Sequence, residues 1–295
     1  MLEREDPFHL DRARLRASFE RASEGYEAAA SLQARIAAEL LERLELFRFA
    51  PGVVLDLGSG TGRVTRELKR RHPRACVIAL DLAQGMLREA RRHLRPWRRF
   101  ARVCGDALRL PLQAGSVDLV FSNLMLQWCE PLTEALAEVR RVLKPSGFFA
   151  FSTFGPDTLC ELRSAWAQAD GYNHINHFSD MHEVGNALVQ AGLMEPVLDV
   201  DRFEVDYPDV LTLMRDLKAI GAHNVTEGRS RTLAGRARLA RVQVAYESFR
   251  RGERLPATYQ VIYGASWGAA GRSAAPARNG VVHIAPGSIR RAPRP

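Results

Sequence analysis

Short apolar runs alternate with amphipathic stretches through the middle of the chain, between residues 52 and 154. This alternation is typical of β-α-β units, in which parallel strands form a sheet and the connecting helices cover it. The runs are almost continuously hydrophobic, as expected of strands that are buried on both faces of a sheet. Five strands are predicted: Val53–Leu57, Cys76–Leu80, Phe100–Val103, Val117–Ser122 and Phe148–Thr153.

The stretches between these runs predict helices. Apolar residues recur at helical spacing in Gly62–Arg71, Gln84–Leu94 and Leu132–Val142. The third stretch is followed by Lys144-Pro145-Ser146-Gly147, which is typical of a helix stop and a turn. We therefore expect an α/β fold of the Rossmann-like kind, with helices on both faces of the sheet.

Further elements are predicted on either side of this core. Helices are expected at Leu32–Phe49, Met181–Ala191 and Pro208–Ile220, and strands at Pro196–Val205 and Thr258–Tyr263. With the five core strands, these give a mostly parallel sheet of seven strands. The core does not need residues 155–180 and 221–254, and additions of this kind usually shape a substrate pocket or a lid.

A glycine-rich turn follows the first strand. Gly58, Gly60 and Gly62 allow a ligand to approach the backbone closely and permit positive φ angles. Their Gly-x-Gly-x-Gly spacing differs from the dinucleotide pattern Gly-x-Gly-x-x-Gly. Asp56, at the end of the strand, suits a cofactor that carries an ammonium group and no phosphate. Residues 53–62 resemble motif I of class I methyltransferases, which implies S-adenosylmethionine; a nicotinamide enzyme and a purely structural turn are the alternatives.

Acidic residues end the second and third predicted strands. Asp81 is placed to accept hydrogen bonds from both hydroxyls of a ribose. In class I methyltransferases, an acid in the position of Asp106 lies near the adenine amine. The fourth strand runs into residues 122–128 at the carboxyl edge of the sheet, where open α/β sheets bind ligands. We expect these cofactor contacts: Asp56, Gly58, Ser59, Gly60, Gly62, Asp81, Leu82, Met86, Asp106, Ala107, Asn123 and Gln127.

The segments around this core resemble one methyltransferase family, over about residues 12–267. These segments are Phe19-Glu20-Arg21-Ala22 with Tyr26 and Gln33, residues 155–159, 161–163, 178–182, 221–224 and 255–259. The family is the malonyl-[acyl-carrier protein] O-methyltransferases of biotin biosynthesis. Two departures are Asn186, where the family often has Asp, and Ala265-Ser266-Trp267, where it often has His-Ala-Trp. The resemblance implies methylation of the free carboxylate of a malonyl thioester, which primes pimeloyl synthesis.

This interpretation divides the chain into three parts. Residues 1–50 are expected to form an N-terminal helical lid segment, and residues 51–267 the methyltransferase domain with its two insertions. Residues 268–295 carry five arginines and no acid, and are rich in Ala, Gly and Pro. We expect this basic tail to be flexible.

Methylation of a carboxylate needs no general base, since a group with a pKa near 4 is already ionised at neutral pH. Tyr26 and Arg163 are our candidates for lid closure and carboxylate recognition, and His177 is our candidate for the substrate pocket. His177 belongs to a cluster with His174, Asp180 and His182 whose spacing would permit a metal ion. The transfer needs no metal, and we expect none.

The formal net charge is +8, of which the tail contributes +5. The remaining charge suits an acidic protein, an anionic substrate or nucleic acid equally well. The resemblance implies malonyl-acyl carrier protein (or malonyl-CoA) as the partner, without nucleic acid or membrane. We therefore expect a basic rim beside the pocket, drawn from Arg12, Arg14, Arg16 and Arg21 or from Arg229, Arg231, Arg236 and Arg238.

The compartment is expected to be the cytoplasm. No apolar run approaches the roughly 18–20 residues that span a bilayer, and the first eleven residues have no apolar core. The four cysteines lie far apart, with no Cys-x-x-Cys pair, which predicts reduced thiols rather than a zinc site or a disulfide framework.

Other functions remain open at this stage. Another small-molecule methyltransferase, such as a quinone C-methyltransferase or an aconitate-type carboxyl methyltransferase, would use the same cofactor. A relative of this fold that hydroxylates arginine would need a redox cofactor or iron. A binding protein with a vestigial cofactor site is the last alternative, against which the intact set of glycines and acids argues.

Overall fold

Strands and helices alternate through the computed structural model, which describes residues 10–47, 49–94, 97–222, 224 and 235–268. The described strands are β1 Val53–Leu57, β2 Cys76–Asp81, β3 Ala101–Cys104, β4 Val117–Asn123, β5 Leu143–Phe154, β6 Met194–Tyr207 and β7 Leu255–Trp267. The described helices are α1 Arg12–Ala22, α2 Tyr26–Ala29, α3 Ser31–Leu44, α4 Arg63–Arg71, α5 Gln84–Arg92, α6 Leu132–Val142, α7 Cys160–Ala169, α8 Met181–Gln190, α9 Val210–Ala219 and α10 Arg236–Glu247. A 3₁₀ turn covers Leu126–Trp128.

The strands form one sheet in the order β3-β2-β1-β4-β5-β7-β6. Strands β1 to β5 pair in parallel, whereas β7 runs antiparallel between β5 and β6. This confirms the predicted α/β fold with a mostly parallel sheet of seven strands. The strand order reverses between β1 and β4: β2 and β3 follow β1 towards one edge of the sheet, whereas β4 and β5 continue towards the other. Open α/β sheets bind ligands at such a point, outside the carboxyl ends of the strands.

The side chains of each buried strand alternate between two apolar cores. Val54 and Phe121 belong to the core under α3, α4, α7 and α10, whereas Leu55 and Val120 belong to the core under α6 and α8. Both faces of the sheet are therefore covered by helices, as the hydrophobic runs predicted. Among the described residues, no helix is long and apolar enough to cross a membrane.

Several boundaries differ from the predictions. Helix α6 stops at Val142 as expected, but the turn predicted at Lys144–Gly147 is wrong, because β5 already begins at Leu143. Leu143 pairs with Val117, and the register then shifts before Leu119. Strands β6 and β7 are both longer than predicted. Most residues of β6 are exposed and only Phe203 is buried, so its sequence contains no continuous apolar run that would mark its full length. The two insertions contain α7 and α10, and the N-terminal segment also contains α1 and α2. Residues 269–295 of the tail lie outside the described residues.

Candidate active site

The turn after β1 is shaped by its glycines. Gly58, Gly60 and Gly62 have φ angles of +77°, +52° and +75°, values that side chains other than glycine rarely adopt. A methyl group at Gly58 would also lie 2.3 Å from Cγ of Met125. The turn therefore requires glycine at position 58 twice over, for its backbone angle and for its packing.

Asp81 connects the end of β2 to this turn. One of its carboxylate oxygens accepts a hydrogen bond from the Gly60 amide at 2.8 Å, and the other accepts from the Ala83 amide at 2.9 Å. Burial raises the pKa of Asp81 to about 6, although both of these hydrogen bonds favour the charged form. The carboxylate is thus positioned by the backbone and remains mostly ionised at neutral pH.

Asp56 lies below the turn at the end of β1. It is 1% exposed and accepts a hydrogen bond from the hydroxyl of Thr65 at 2.5 Å. Burial, together with the negative charge of Asp81, raises the pKa of Asp56 to about 7. Its charge is therefore sensitive to small changes of pH near neutrality.

A cleft opens at the carboxyl ends of β1, β2 and β4. Nine of the predicted cofactor contacts line it: Gly58, Gly60, Asp81, Leu82, Met86, Asp106, Ala107, Asn123 and Gln127. Asp56 and Ser59 line a smaller cavity that adjoins the cleft at the glycine turn. Gly62 lines neither cavity; a methyl group there would lie 3.0 Å from Cβ of Ala90, so it is a close packing position against α5.

Helix α1 covers the cleft from outside. Leu15 and Phe19 line its wall, and Arg12 forms an ion pair with Asp106. A carboxylate oxygen of Glu20 accepts a hydrogen bond from the Gly85 amide at 2.7 Å, which fastens α1 to the start of α5. The N-terminal segment therefore lies where the predicted lid would have to lie.

A larger cavity of about 900 Å³ adjoins the cleft. Its walls are mostly apolar and aromatic, with Trp166 and Phe178 from the first insertion and Met214 and Leu217 from α9. Five residues line both this large cavity and the cleft, and we call them the junction: Gln33, Trp128, Phe154, Ile220 and Ala222.

Four exposed cations line the large cavity: Arg14, Arg21, Arg215 and Lys218. The sequence predicted the first two as members of a basic rim, whereas it gave no sign of the two on α9. Other rim candidates lie elsewhere. Arg12 pairs with Asp106 and Arg238 with Asp170, while Arg16 and Arg236 line no cavity described here. Arg229 and Arg231 lie outside the described residues.

Comparison with known proteins shows which family has this sequence. Residues 55–151 match the family model "Methyltransferase domain". The malonyl-[acyl-carrier protein] O-methyltransferase of Methylovorus sp. is 50% identical over 277 residues, covering 92% of this chain and 94% of that protein. The enzyme of the same name from Halorhodospira halophila is 46% identical and covers 97% of this chain and 98% of its own.

The chain belongs to the malonyl-[acyl-carrier protein] O-methyltransferase family. Solved structures support the fold alone. A putative methyltransferase from Haloferax volcanii, in complex with its activator Trm112, superposes with a TM-score of 0.55 at 20% identity, covering 85% of this chain and 97% of that one. A putative methyltransferase from Bacillus halodurans gives a TM-score of 0.55 at 17% identity, covering 79% and 98%.

S-adenosylmethionine is the cofactor of a methyltransferase of this family, and the polar groups around the turn fit it. The hydroxyl oxygen of Ser59 is buried and bonds to no other described residue. Asp81 directs its carboxylate into the cleft from the end of β2. Asp106 accepts from the Leu108 amide at 2.9 Å with one oxygen and pairs with Arg12 through the other. The cleft therefore offers carboxylates to a ligand that carries hydroxyl and amine donors.

Three residues were predicted to contact the substrate: Tyr26, Arg163 and His177. Of these, only Tyr26 lines the cleft. Its ring approaches Gly60, where an added methyl group would lie 3.7 Å from Cε1. Burial, and then the negative charge of Asp81, raises the pKa of Tyr26 to about 12, so its hydroxyl is a neutral donor. Arg163 lies elsewhere: its guanidinium donates to the carbonyls of Pro156 and Thr158 at 2.8 and 3.1 Å and closes the turn before α7.

His177 is exposed and lines a separate small cavity near Glu130 and Val184, away from the large cavity. His174 does line the large cavity, where Nε2 lies 2.8 Å from a carboxylate oxygen of Asp170 and the ring stacks on Trp166. The described residues bring no three metal-binding side chains of the histidine cluster together.

Proposed function

We propose that this protein transfers a methyl group from S-adenosylmethionine to the free carboxylate of a malonyl group carried by acyl carrier protein. The product is the malonyl methyl ester that primes pimeloyl synthesis for biotin. The observation that carries the proposal is the junction, where a cleft built on motif I opens into a large cavity, in a chain 50% identical to an enzyme of that name. A cofactor and a long thioester arm can meet there.

The cofactor contacts follow from this arrangement. Asp81 would accept the ribose hydroxyls, and Asp106 with Ala107 would contact the adenine. Asp56 and Ser59 face the smaller cavity beside the glycine turn, which suits the amino-acid part of the cofactor. When bound, S-adenosylmethionine supplies a methyl group on a positively charged sulfur, which a carboxylate oxygen takes as the carbon–sulfur bond breaks.

The protein does not have to remove a proton in this reaction. A malonyl carboxylate is ionised at neutral pH, and the nearby Tyr26 keeps its proton because its pKa is raised to about 12. The rate enhancement must come from aligning oxygen, methyl and sulfur, which can be worth a large effective concentration. Helix α1 and the aromatic wall at Phe154 and Phe178 serve this by excluding water from the junction.

The four exposed cations on the large cavity suit an acidic carrier. Arg14 and Arg21 project from α1, and Arg215 and Lys218 from α9, so the two helices present positive charge on the side that faces solvent. Exposed charges of this kind act mainly on encounter and are screened by salt. We propose that the carrier docks against these two helices and delivers its thioester arm into the large cavity.

The reaction can be tested by mass spectrometry of malonyl-acyl carrier protein incubated with the enzyme and S-adenosylmethionine. We expect the carrier to gain one methyl group. Acetyl-acyl carrier protein is the matched control, because it has the same arm without the free carboxylate. Equal methylation of both carriers, or methylation of neither, would contradict carboxyl methylation.

A further inference from the structure

Five residues separate the cofactor cleft from the large cavity, and only two of them carry N–H donors. Phe154, Ile220 and Ala222 are apolar, whereas Gln33 has a side-chain amide and Trp128 an indole N–H. The acceptor oxygen has to reach this junction to meet the methyl group. The chemistry of its two donors therefore decides what kind of acceptor can be held there.

The donors of the junction are unused by the residues that the structure describes. Three side-chain amides line the cleft, and two of them each donate one N–H to a backbone carbonyl: Asn123 to that of Gln33 at 3.2 Å, and Gln127 to that of Leu124 at 2.7 Å. The side-chain amide of Gln33 bonds to no other described residue. The indole N–H of Trp128 likewise has no hydrogen-bond partner in the described part of the chain, while its ring meets Phe19 edge-on at 5.4 Å.

Among the described residues, no cation lines both the cleft and the large cavity. Of the described residues that line the cleft, Arg12 is the one cation, and it is paired with Asp106. The cations of the large cavity do not line the cleft. His174 also lines the large cavity, and its Nε2 lies 2.8 Å from a carboxylate oxygen of Asp170. An anionic group at the junction would thus meet neutral donors.

We propose that Trp128 and Gln33 form a neutral carboxylate subsite that selects the free carboxylate of the acceptor and directs one of its oxygens to the methyl group. This inference rests on the proposed function and adds the residues that recognise the substrate. A neutral N–H donor bonds more strongly to a carboxylate than to an ester carbonyl, because the acceptor is charged. The subsite would therefore hold the substrate and release the methylated product.

Neutral donors also suit the reaction better than an arginine. The negative charge on the carboxylate disappears as the new bond forms, so a strong ion pair would stabilise the starting state more than the transition state. Hydrogen bonds from an amide and an indole also orient the oxygen, but they stabilise the starting state less than an ion pair would. The arrangement explains how the pocket can recognise an anion although its free cations lie at the solvent side.

The test measures binding of two carriers to the enzyme filled with S-adenosylhomocysteine, which prevents turnover. One carrier is malonyl-acyl carrier protein, which has the free carboxylate. The other is its methyl ester, in which that carboxylate is masked. Trp128→Phe removes the N–H and keeps an aromatic ring beside Phe19, and Gln33→Leu removes the amide at similar volume. The controls are Trp97→Phe and Gln190→Leu, since Trp97 is 76% exposed and Gln190 lies exposed on α8.

In each junction variant, we expect the dissociation constant of the malonyl carrier to rise roughly ten- to 150-fold, the range of one lost hydrogen bond to a charged group. The dissociation constant of the ester carrier and the affinity for S-adenosylmethionine should each stay within about twofold. Neither control variant should change any of the three values. The loss of preference for acid over ester is a readout that a purely structural role would not produce.

Three results would overturn the inference. Equal weakening of both carriers would mean that Trp128 or Gln33 acts by packing. Weaker cofactor binding in Gln33→Leu with unchanged malonyl binding would assign that amide to the cofactor. Unchanged affinity for both carriers and for S-adenosylmethionine would place carboxylate recognition elsewhere. A wild-type enzyme that fails to methylate the malonyl carrier would instead contradict the proposed function, and this is seen before any variant is made.

Discussion

Asp81→Asn should weaken binding of S-adenosylmethionine and remove the part of its pH dependence that centres on about pH 6. Each oxygen of Asp81 holds one backbone amide, those of Gly60 and Ala83, at 2.8 and 2.9 Å. Asparagine keeps one carbonyl oxygen, but its NH₂ group would face the other amide, donor against donor. The variant therefore disturbs the glycine turn and also loses the charge that would accept the ribose hydroxyls.

The size of the effect follows from the hydrogen bonds at stake. A hydrogen bond to a charged group contributes about 1.5–3 kcal/mol, so the loss of one such bond raises the Kd of the cofactor roughly ten- to 150-fold. The loss should be seen at about pH 8, where Asp81 of the wild type is ionised. Calorimetric titration measures it directly, and Asp206→Asn is a matched control because Asp206 is exposed on β6.

The pH dependence tests the same reasoning independently. Burial raises the pKa of Asp81 to about 6, and only its ionised form accepts from both hydroxyls. Affinity of the wild type should therefore be constant above about pH 7 and fall as the pH decreases through 6. The asparagine variant has no group to protonate at this position, so the fall that centres on about pH 6 should be lost, while Asp56, whose pKa is raised to about 7, still titrates.

Two results would refute this account of Asp81. An unchanged Kd at about pH 8 would remove its carboxylate from the cofactor site. A variant that keeps the wild-type pH profile would assign the titration to another group, and Asp56, with a pKa raised to about 7, is the one to test next. The thermal unfolding of each variant, followed in parallel, separates lost binding from lost structure.

Three further predictions follow from the same region. Gly58→Ala should lower the free energy of unfolding by about 2–4 kcal/mol in chemical denaturation, because the methyl group would lie 2.3 Å from Met125 at a φ of +77°. An unchanged unfolding curve would show that the turn can relax. Asp56→Asn should be more stable than the wild type at about pH 8. Because the pKa of Asp56 is raised in the folded state, the free energy of unfolding of the wild type falls as the pH rises and this buried carboxyl group ionises. Its advantage should shrink as the pH falls towards about 4, and a constant difference would contradict the raised pKa. Charge reversal at Arg21 and Lys218 should raise KM for the malonyl carrier several-fold at low salt and leave KM for S-adenosylmethionine unchanged. A KM for the malonyl carrier that changes neither with the charge reversals nor with the salt concentration would contradict docking on these helices.

The sequence predicts the core of this fold because the relevant signals are local. The apolar runs of β1, β2 and β4 and the glycines beside them form a pattern within a few residues of each strand. The cofactor contacts follow from the same pattern, since the ends of parallel strands meet at one edge of the sheet. Asp81 and Asp106 could be placed in this way without any knowledge of distant contacts.

The substrate side depends on contacts that no local pattern records. Arg163 belongs to the same insertion as Trp166, yet its guanidinium turns back to two carbonyls while Trp166 reaches the large cavity. Lys218 and Gln33 come from helices almost two hundred positions apart and line the same cavity. Spacing along the chain contains no information on such a meeting, which is decided by how α3 and α9 pack on the sheet.

The position of β7 has a consequence for the order in which the sheet can form during synthesis on the ribosome. β7 is the last described strand in the sequence, but it lies between β5 and β6 and is the strand with which β6 is paired. Until residues 255–267 have left the ribosome, β5 has an open edge and β6 lacks its neighbour. Completion of the sheet is therefore a late event that requires contacts across more than a hundred residues. A nascent chain stopped before β7 exposes an unpaired edge, which is the form in which this protein should need the most help from chaperones.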